Sequence, residues 1–284
     1  MHFIRKGKGG RGIVGFHGWS GDHTTFLPLM EKLPEAVSFY SYDLPGCGRS
    51  AEPAQWEIRE VARSVAKELL ALEKENLTLV GSCTGGLMAV FVARELSEMD
   101  RGSVVGRLVM IDPFAECPWY FRIFLIPGLG GLMYRTAFAN PIGRWITNLL
   151  LRQKRTGEVN LTESFRQVNH RVTLAYLRMF KKAGAPEQFQ GLKIPTEIVR
   201  GEKTFGAVKQ AVERWRRVWP EANVHVLSGV GHLPIDEGTK MVERILFAGV
   251  GERKTPKTKK LSAQQARELR ELRNELTRGD SVGR

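Results

Sequence analysis

The residues whose types and spacing could do chemistry are Gly-Ser-Cys-Thr-Gly-Gly at positions 81–86, directly after the apolar run 77–80. An aliphatic run, a glycine-flanked nucleophile and the helix-period pattern of residues 87–94 predict a strand, a sharp turn and a helix. Glycines near the central residue permit a strained turn that lifts its side chain above the strand end. The central residue is Cys83, so we expect a thiol nucleophile that forms a covalent acyl-enzyme.

The elements that must position this thiol are visible as a repeating pattern. Six short apolar or β-branched runs are typical of strands, and helix-period segments separate most of them. The runs are 12–16, 37–42, 77–80, 104–111, 196–200 and 223–227, and the helical segments include 58–73, 207–219 and 238–248. Strands that alternate with helices indicate an α/β protein with a mostly parallel, doubly wound sheet.

Three further motifs occur at the ends of predicted strands. His17, Gly18 and Trp19 follow the first run, and the turn Asp-Leu-Pro-Gly-Cys-Gly-Arg-Ser at 43–50 follows the second. Gly231 and His232 follow the last run. Together with the Cys83 turn, these motifs resemble the α/β-hydrolase superfamily over about residues 1–250, which implies an α/β-hydrolase fold with an inserted helical lid.

The resemblance implies roles for individual residues. Cys83 is the expected nucleophile and His232 the expected base. The backbone N–H groups of Trp19 and Thr84 are the expected oxyanion hole, and His17 orients the loop that carries Trp19. The implied protein is an enzyme of the esterase, thioesterase or acyltransferase class.

The triad acid departs from the pattern of the superfamily. The usual acid position after the fifth run is occupied by Thr204, within Gly201-Glu202-Lys203-Thr204. Asp112, at the end of the fourth run, is the first alternative because some members of the superfamily place the acid there. Glu202 is a second alternative, and a Cys–His pair with no acid is the third, since a thiol needs less activation than a hydroxyl.

The cysteine bears on the substrate. The Gly-x-Cys-x-Gly-Gly box is similar to that of polyhydroxyalkanoate synthases and of dienelactone hydrolases, although only the box is shared. A thiolate exchanges acyl groups readily with thioesters, so we expect an ester or acyl thioester with an apolar acyl chain, carried on coenzyme A or an acyl carrier protein. The alternatives are a small lactone or ester hydrolase, and a catalytically weak protein that binds a membrane or a partner.

The net charge of +13 is concentrated in two segments. Residues 113–190 carry 11 basic and 4 acidic side chains, and residues 252–284 carry 10 and 5. One interpretation is solubility, and the other is an anionic partner such as lipid head groups or an acidic carrier protein. No motif supports nucleic-acid binding.

The pattern predicts three parts: an α/β core at 1–112 and 191–250, a helical lid at 113–190, and a basic tail at 251–284. The strongly apolar stretch 118–134 is open to three interpretations: ordinary lid core, an acyl tunnel, or a membrane-interface surface. The tail reads as a basic linker followed by a helix at 263–277.

Composition and motif content limit where the protein acts and which cofactors it could bind. No apolar run reaches 18 residues, the first residues predict no signal peptide, and the three cysteines form no disulfide framework. We therefore expect a reducing cytoplasm, with a peripheral position at a membrane as the alternative. No phosphate-binding loop and no ligand-spaced cluster is present, so we expect neither a cofactor nor a metal.

Overall fold

Among the residues that the structure describes, seven strands form one mixed sheet that carries the chemically interesting residues at its strand ends. The computed structural model describes residues 1–156 and 159–249, and the predicted basic tail lies outside the described residues. The strands are β1 (Phe3–Lys6), β2 (Arg11–Phe16), β3 (Val37–Tyr42), β4 (Leu77–Ser82), β5 (Val105–Ile111), β6 (Thr196–Gly201) and β7 (Asn223–Leu227). The prediction of an α/β protein with a mostly parallel sheet is confirmed.

The sheet has the order β1-β3-β2-β4-β5-β6-β7, in which β1 pairs antiparallel with β3 and the other pairs are parallel. The central strands are almost wholly buried, which explains why they read as continuous apolar runs. Because parallel strands end at the same edge, Cys83, Asp112 and Thr204 are brought to one side of the sheet.

Helices flank the sheet and fill the connection between β5 and β6. The α-helices are α1 (Leu27–Met30), α2 (Ile58–Leu70), α3 (Thr84–Glu98), α4 (Trp119–Arg122), α5 (Gly130–Tyr134), α6 (Pro141–Leu150), α7 (His170–Lys181), α8 (Gly206–Val218), α9 (Pro234–Glu237) and α10 (Thr239–Leu246). In the parts of the chain that the structure describes, no helix has the length and apolar character needed to cross a bilayer.

The segment predicted as a lid, residues 113–190, contains α4 to α7 joined by short 3₁₀ turns and one π turn at Arg135–Ala139. We call this segment the insertion. It belongs to the same compact unit as the sheet, Met1–Ala248. One link is a hydrogen bond from Trp19 Nε1 to the carbonyl oxygen of Thr173 in α7, at 2.8 Å. Its division from the core as a separate lid stays a prediction.

One strand was absent from the sequence prediction. β1 spans only Phe3–Lys6, is mostly exposed and carries two basic side chains, so it shows no apolar run. Its place is set by the antiparallel pairing with β3, from Phe3 opposite Tyr42 to Lys6 opposite Phe39. This pairing is a contact distant in sequence, which a local pattern does not reveal.

Candidate active site

The turn at Cys83 has the strained geometry that the glycine pattern predicts. β4 ends at Ser82, α3 begins at Thr84, and Cys83 between them has φ 56° and ψ −120°, in the left-handed half of the map. A Cβ on Gly81 would collide with the backbone of Gly85, and a Cβ on Gly85 would collide with backbone carbonyls of β2 and His17. The glycines therefore let the strand and helix approach closely enough to raise the thiol at the helix N-terminus.

His232 lies between the Cys83 thiol and a buried carboxylate. Its Nδ1 is 2.6 Å from Oδ2 of Asp112, and Cys83 is close enough to interact electrostatically with the ring. Burial lowers the pKa of His232, but the hydrogen bonds and negative charge of Asp112 and Cys83 outweigh it and raise the pKa to about 10. The arrangement favours an imidazolium beside the nucleophile.

Asp112 is held rigidly at the end of β5. It is fully buried, has φ 50°, and its N–H donates to Val199 in β6 at 2.6 Å. Its Oδ1 accepts the N–H of Gly201 at 2.9 Å, while Oδ2 faces His232 and accepts the hydroxyl of Thr204. Both oxygens of the buried carboxylate therefore have hydrogen-bond partners, as burial of such a group requires.

The structure places the two candidate acids, Asp112 and Glu202, at different distances from His232. Asp112 contacts the imidazole, whereas the exposed carboxylate of Glu202 accepts hydrogen bonds from Gly229 N–H at 2.7 Å and from the Ser228 hydroxyl at 3.1 Å. Thr204, at the usual acid position, lies 3.3 Å from His232 Nδ1 through its Oγ1. Thr204 thus supports Asp112 instead of replacing it.

Two backbone amides near Cys83, those of Trp19 and Thr84, have no acceptor among the described residues. Within residues 1–156 and 159–249, neither the Trp19 nor the Thr84 N–H donates a hydrogen bond to the protein. The loop carrying Trp19 is held by His17, whose Nε2 accepts the Leu44 N–H at 3.1 Å and whose Nδ1 lies 2.9 Å from the Gly18 carbonyl oxygen. Because Nε2 is the acceptor, Nδ1 carries the proton, and burial lowers the pKa of His17 in keeping with a neutral ring.

A large aromatic cavity opens beside these groups. It has a volume of about 1150 Å³ and reaches from Cys83 and His232 to the helices of the insertion. Ten aromatic side chains line it: Trp19, Phe114, Tyr120, Phe121, Phe124, Phe138, Phe165, Tyr176, Phe180 and Phe205. Among the lysines and arginines of the described residues, only Arg166 lines it, and Arg166 pairs with Glu163 at 3.4 Å. The apolar stretch predicted as lid core or acyl tunnel therefore contributes to the wall of a cavity.

Sequence reasoning missed two groups that shape the site. Glu237 in α9 fixes the loop of His232 by accepting the N–H groups of Gly231 at 2.6 Å and Leu233 at 3.1 Å. Tyr120 lines the cavity, its buried hydroxyl has no partner among the described residues, and burial together with the nearby Cys83 raises its pKa. Neither residue belongs to a motif, and their positions follow from how the insertion and the α9 turn pack.

One cluster has a composition that could hold a metal, although the sequence predicted none. His2, His23 and Asp43 bring their ligand atoms within 4.8 Å of one another. The two Nδ1 atoms lie 2.7 and 2.8 Å from the Asp43 oxygens, which also accept the N–H groups of His23 and Arg49. Hydrogen bonds to one buried carboxylate account for this geometry, which braces the turn after β3.

Comparison with known proteins agrees with the α/β fold described above. The sequence profile of the Alpha/beta hydrolase family matches residues 13–244. The chain belongs to this family. The match covers β2 to α10, so it includes every strand end that contributes to the site.

Individual relatives are distant. The AB hydrolase superfamily protein YisY of Bacillus subtilis is 25% identical over 248 residues, covering 78% of this chain and 85% of that protein. A lipase-esterase related protein from Clostridium acetobutylicum superposes with TM-score 0.68 at 16% identity, over 86% of this chain and 97% of its own. The enol-lactonase from Burkholderia xenovorans superposes with TM-score 0.65 at 15% sequence identity, over 88% of this chain and 96% of its own. These likenesses in structure show the fold.

Proposed function

We propose that this α/β-hydrolase family member is an enzyme that uses Cys83 to form a covalent acyl-enzyme from an ester or acyl thioester. The observation that carries the proposal is the arrangement of Cys83, on its strained turn, with His232 and the buried Asp112. The Trp19 and Thr84 N–H groups nearby have no acceptor among the described residues. Nucleophile, base and orienting carboxylate in hydrogen-bonded sequence are the arrangement that nucleophilic catalysis requires. The thiol must stay reduced, which agrees with a cytoplasmic site of action.

The geometry supports a two-step reaction. The Cys83 sulfur bonds to the acyl carbon, and the carbonyl oxygen becomes an oxyanion that accepts the N–H groups of Trp19 and Thr84. The carbon–heteroatom bond then breaks, and the leaving thiolate or alkoxide takes the proton from His232. Water or an acceptor alcohol next returns a proton to His232 and attacks the acyl-enzyme, which frees the thiol. Each oxyanion donor contributes about 3–4 kcal/mol to such a barrier.

The size of the cavity supports an extended apolar acyl chain. Pockets for small ligands have volumes of roughly 300–1,000 Å³, and this cavity of about 1150 Å³ exceeds that range. Its walls are largely aromatic and aliphatic, which suits hydrocarbon more than a compact polar lactone. Delivery of the chain on coenzyme A or an acyl carrier protein remains part of the proposal.

The charges inside the cavity disfavour a small anionic substrate. The one lining arginine, Arg166, is already paired, while Asp22 and Asp236 also line the cavity. A carboxylate substrate would meet more negative than positive charge there. Apart from Arg166, the basic side chains of residues 113–190 that the structure describes therefore do not line the cavity beside Cys83.

Intact-mass spectrometry of acylated protein tests the proposal. Wild type, Cys83→Ala and Cys47→Ala are incubated with acyl thioesters and esters of increasing chain length. Cys47 is a matched control because it lines the same cavity, while burial and the charges of Asp43 and Asp22 raise its pKa to about 12. We expect one acyl adduct on wild type and on Cys47→Ala, none on Cys83→Ala, and faster acylation by longer chains.

Three outcomes would contradict the proposal. Turnover that survives in Cys83→Ala means that another group is the nucleophile. A preference for the shortest acyl groups favours a small-ester hydrolase. An absence of adduct and turnover with every substrate, together with a Cys83 thiol that resists alkylation, indicates a binding protein with an inactive site.

A further inference from the structure

Exposed apolar side chains are concentrated on one part of the insertion. Among the residues that the structure describes, thirteen large hydrophobic side chains are exposed, and nine of them lie between positions 119 and 150. These nine, which we call the apolar surface, are Trp119, Ile126, Leu129, Leu132, Ile142, Trp145, Ile146, Leu149 and Leu150. Scattered exposed hydrophobics are normal, but a concentration of this size marks an interaction site.

Helix α6 shows that the exposure follows from the sequence pattern. Ile142, Trp145, Ile146 and Leu149 are spaced as one helical stripe, and they are 71%, 66%, 45% and 46% exposed. The buried side of the helix is occupied by Gly143, where a Cβ would collide with the carbonyl of Thr136. The helix therefore presents its apolar stripe outward while its small residue faces the protein.

The stretch of sequence that carries the apolar surface has charges of one sign, although Arg122 pairs at 3.8 Å with Glu116 just before it. From residue 117 to residue 156 the sequence contains no aspartate or glutamate and six basic residues. Arg122, Arg135 and Arg152 are exposed within this stretch. Arg135 and Arg152 make no ion pair with the described residues. Arginines beside exposed tryptophans are typical of segments that lie in the head-group region of a bilayer.

We propose that the apolar surface docks on an anionic phospholipid bilayer, with Trp119 and Trp145 at head-group depth and Arg135 and Arg152 on lipid phosphates. A fluid bilayer accepts apolar side chains spread over three short helices without matching holes for them. A second copy of this chain is disfavoured, because two such faces would oppose cations with no carboxylate between residues 117 and 156 of either copy.

The docking surface adjoins the cavity. Helix α6, which carries the exposed stripe, also lines the cavity through Thr147 and Leu150, and the next residue, Leu151, lines it as well. A bilayer seated on α6 would therefore lie next to the wall of the acyl cavity. This surface goes beyond the acyl chemistry, and its test needs no turnover.

Vesicle flotation of the full chain tests the surface. Vesicles of phosphatidylcholine alone are compared with vesicles containing phosphatidylglycerol, using wild type, Trp119→Ser/Trp145→Ser and Arg135→Gln/Arg152→Gln. Met241→Ser is the matched control, since Met241 is 41% exposed on α10. We expect binding that needs the anionic lipid, a loss of roughly fivefold per arginine removed, at least about tenfold per tryptophan removed, and no change in the control.

Tryptophan emission gives a second readout that does not depend on the variants folding well. In wild type, Trp119 and Trp145 are 76% and 66% exposed, while Trp215 and Trp219 are buried. We therefore expect a blue shift of emission on adding anionic vesicles, and quenching by brominated lipid.

The following outcomes overturn the proposal. Wild type that fails to float with anionic vesicles has no such surface. Binding that survives in both double variants is carried by another part of the chain. Self-association that the Trp119→Ser/Trp145→Ser variant abolishes assigns the surface to a second copy, and binding of an acidic carrier protein without vesicle binding assigns it to that protein.

Discussion

Replacing Asp112 by Asn tests whether the buried carboxylate orients the base. Oδ1 of Asp112 accepts the Gly201 N–H, so an asparagine in the same pose keeps its carbonyl oxygen on Gly201 and turns its NH₂ toward His232. The amide then donates to Nδ1, which forces the imidazole proton onto Nε2. A protonated Nε2 on neutral histidine has no lone pair to accept the proton of Cys83.

The magnitude follows from this change of tautomer. Wrong-tautomer variants of nucleophile–His–Asp sites lose about 10⁴ in rate, and a thiol tolerates the loss somewhat better than a hydroxyl. We therefore expect the acylation rate of Asp112→Asn to fall about 10³–10⁴-fold, or about 4–5.5 kcal/mol. The asparagine is nearly isosteric and keeps the Gly201 hydrogen bond, so the protein is expected to stay folded.

The assay is the initial rate with a chromogenic aryl ester, with circular dichroism and melting temperature as folding controls. Placing a carboxylate at the neighbouring position supplies a rescue, because Thr204 Oγ1 is 3.3 Å from His232 Nδ1. The double variant Asp112→Asn/Thr204→Asp is expected to react at least about tenfold faster than Asp112→Asn. A folded Asp112→Asn protein that keeps more than about a tenth of wild-type activity would show that Cys83 and His232 act without an acid.

Three further predictions concern pH, a hydroxyl and a loop. Burial lowers the pKa of His232, but Asp112 and Cys83 raise it from 6.5 to about 10, so its contribution to stability is complete below pH 6.5 and is lost as the pH rises toward 10. In urea unfolding, the free-energy advantage of wild type over Asp112→Asn should therefore shrink between pH 6.5 and about 10. An advantage that grows over this pH range contradicts the prediction. Tyr120→Phe removes a buried hydroxyl without a partner, so unfolding free energy should rise by about 1 kcal/mol, and a fall would reveal a partner such as water. Gly18→Ala puts a Cβ 2.9 Å from Cys83 Cβ, so acylation should slow about 100-fold with little change in melting temperature, and an unchanged rate means that the loop does not hold the oxyanion.

The strands and the turn at Cys83 could be predicted because their sequence signals are local. The six predicted runs coincide with β2 to β7 to within a few residues, since each is an apolar run that ends in a turn or glycine motif. The helix that the apolar spacing predicts after this turn is present and begins at Thr84. β1 was missed because its position depends on pairing with β3, 33 to 39 residues away.

The sequence left three alternatives for the acid, which were Asp112, Glu202 and no acid at all. Asp112 and Glu202 both follow strand ends at the same edge of the sheet, and the contact between β5 and β6 determines which side chain lies next to His232. The positive φ of Asp112 and its N–H bond to Val199 turn its carboxylate toward the imidazole. The supporting role of Thr204 likewise depends on a contact between residues 92 positions apart.

The positions of the charged residues in the insertion show where its basic character can act. An excess of basic residues at 113–190 could attract an anionic substrate into the cavity or an anionic partner to the outer surface. Inside the cavity, the described lining has one paired arginine together with Asp22 and Asp236. Outside it, exposed arginines lie among exposed tryptophans and leucines, with no carboxylate from residue 117 to residue 156. Because coulombic attraction weakens beyond about 10 Å at ordinary ionic strength, we expect these outer cations to act on whatever contacts the surface. We expect the cavity, in contrast, to select its substrate by apolar shape.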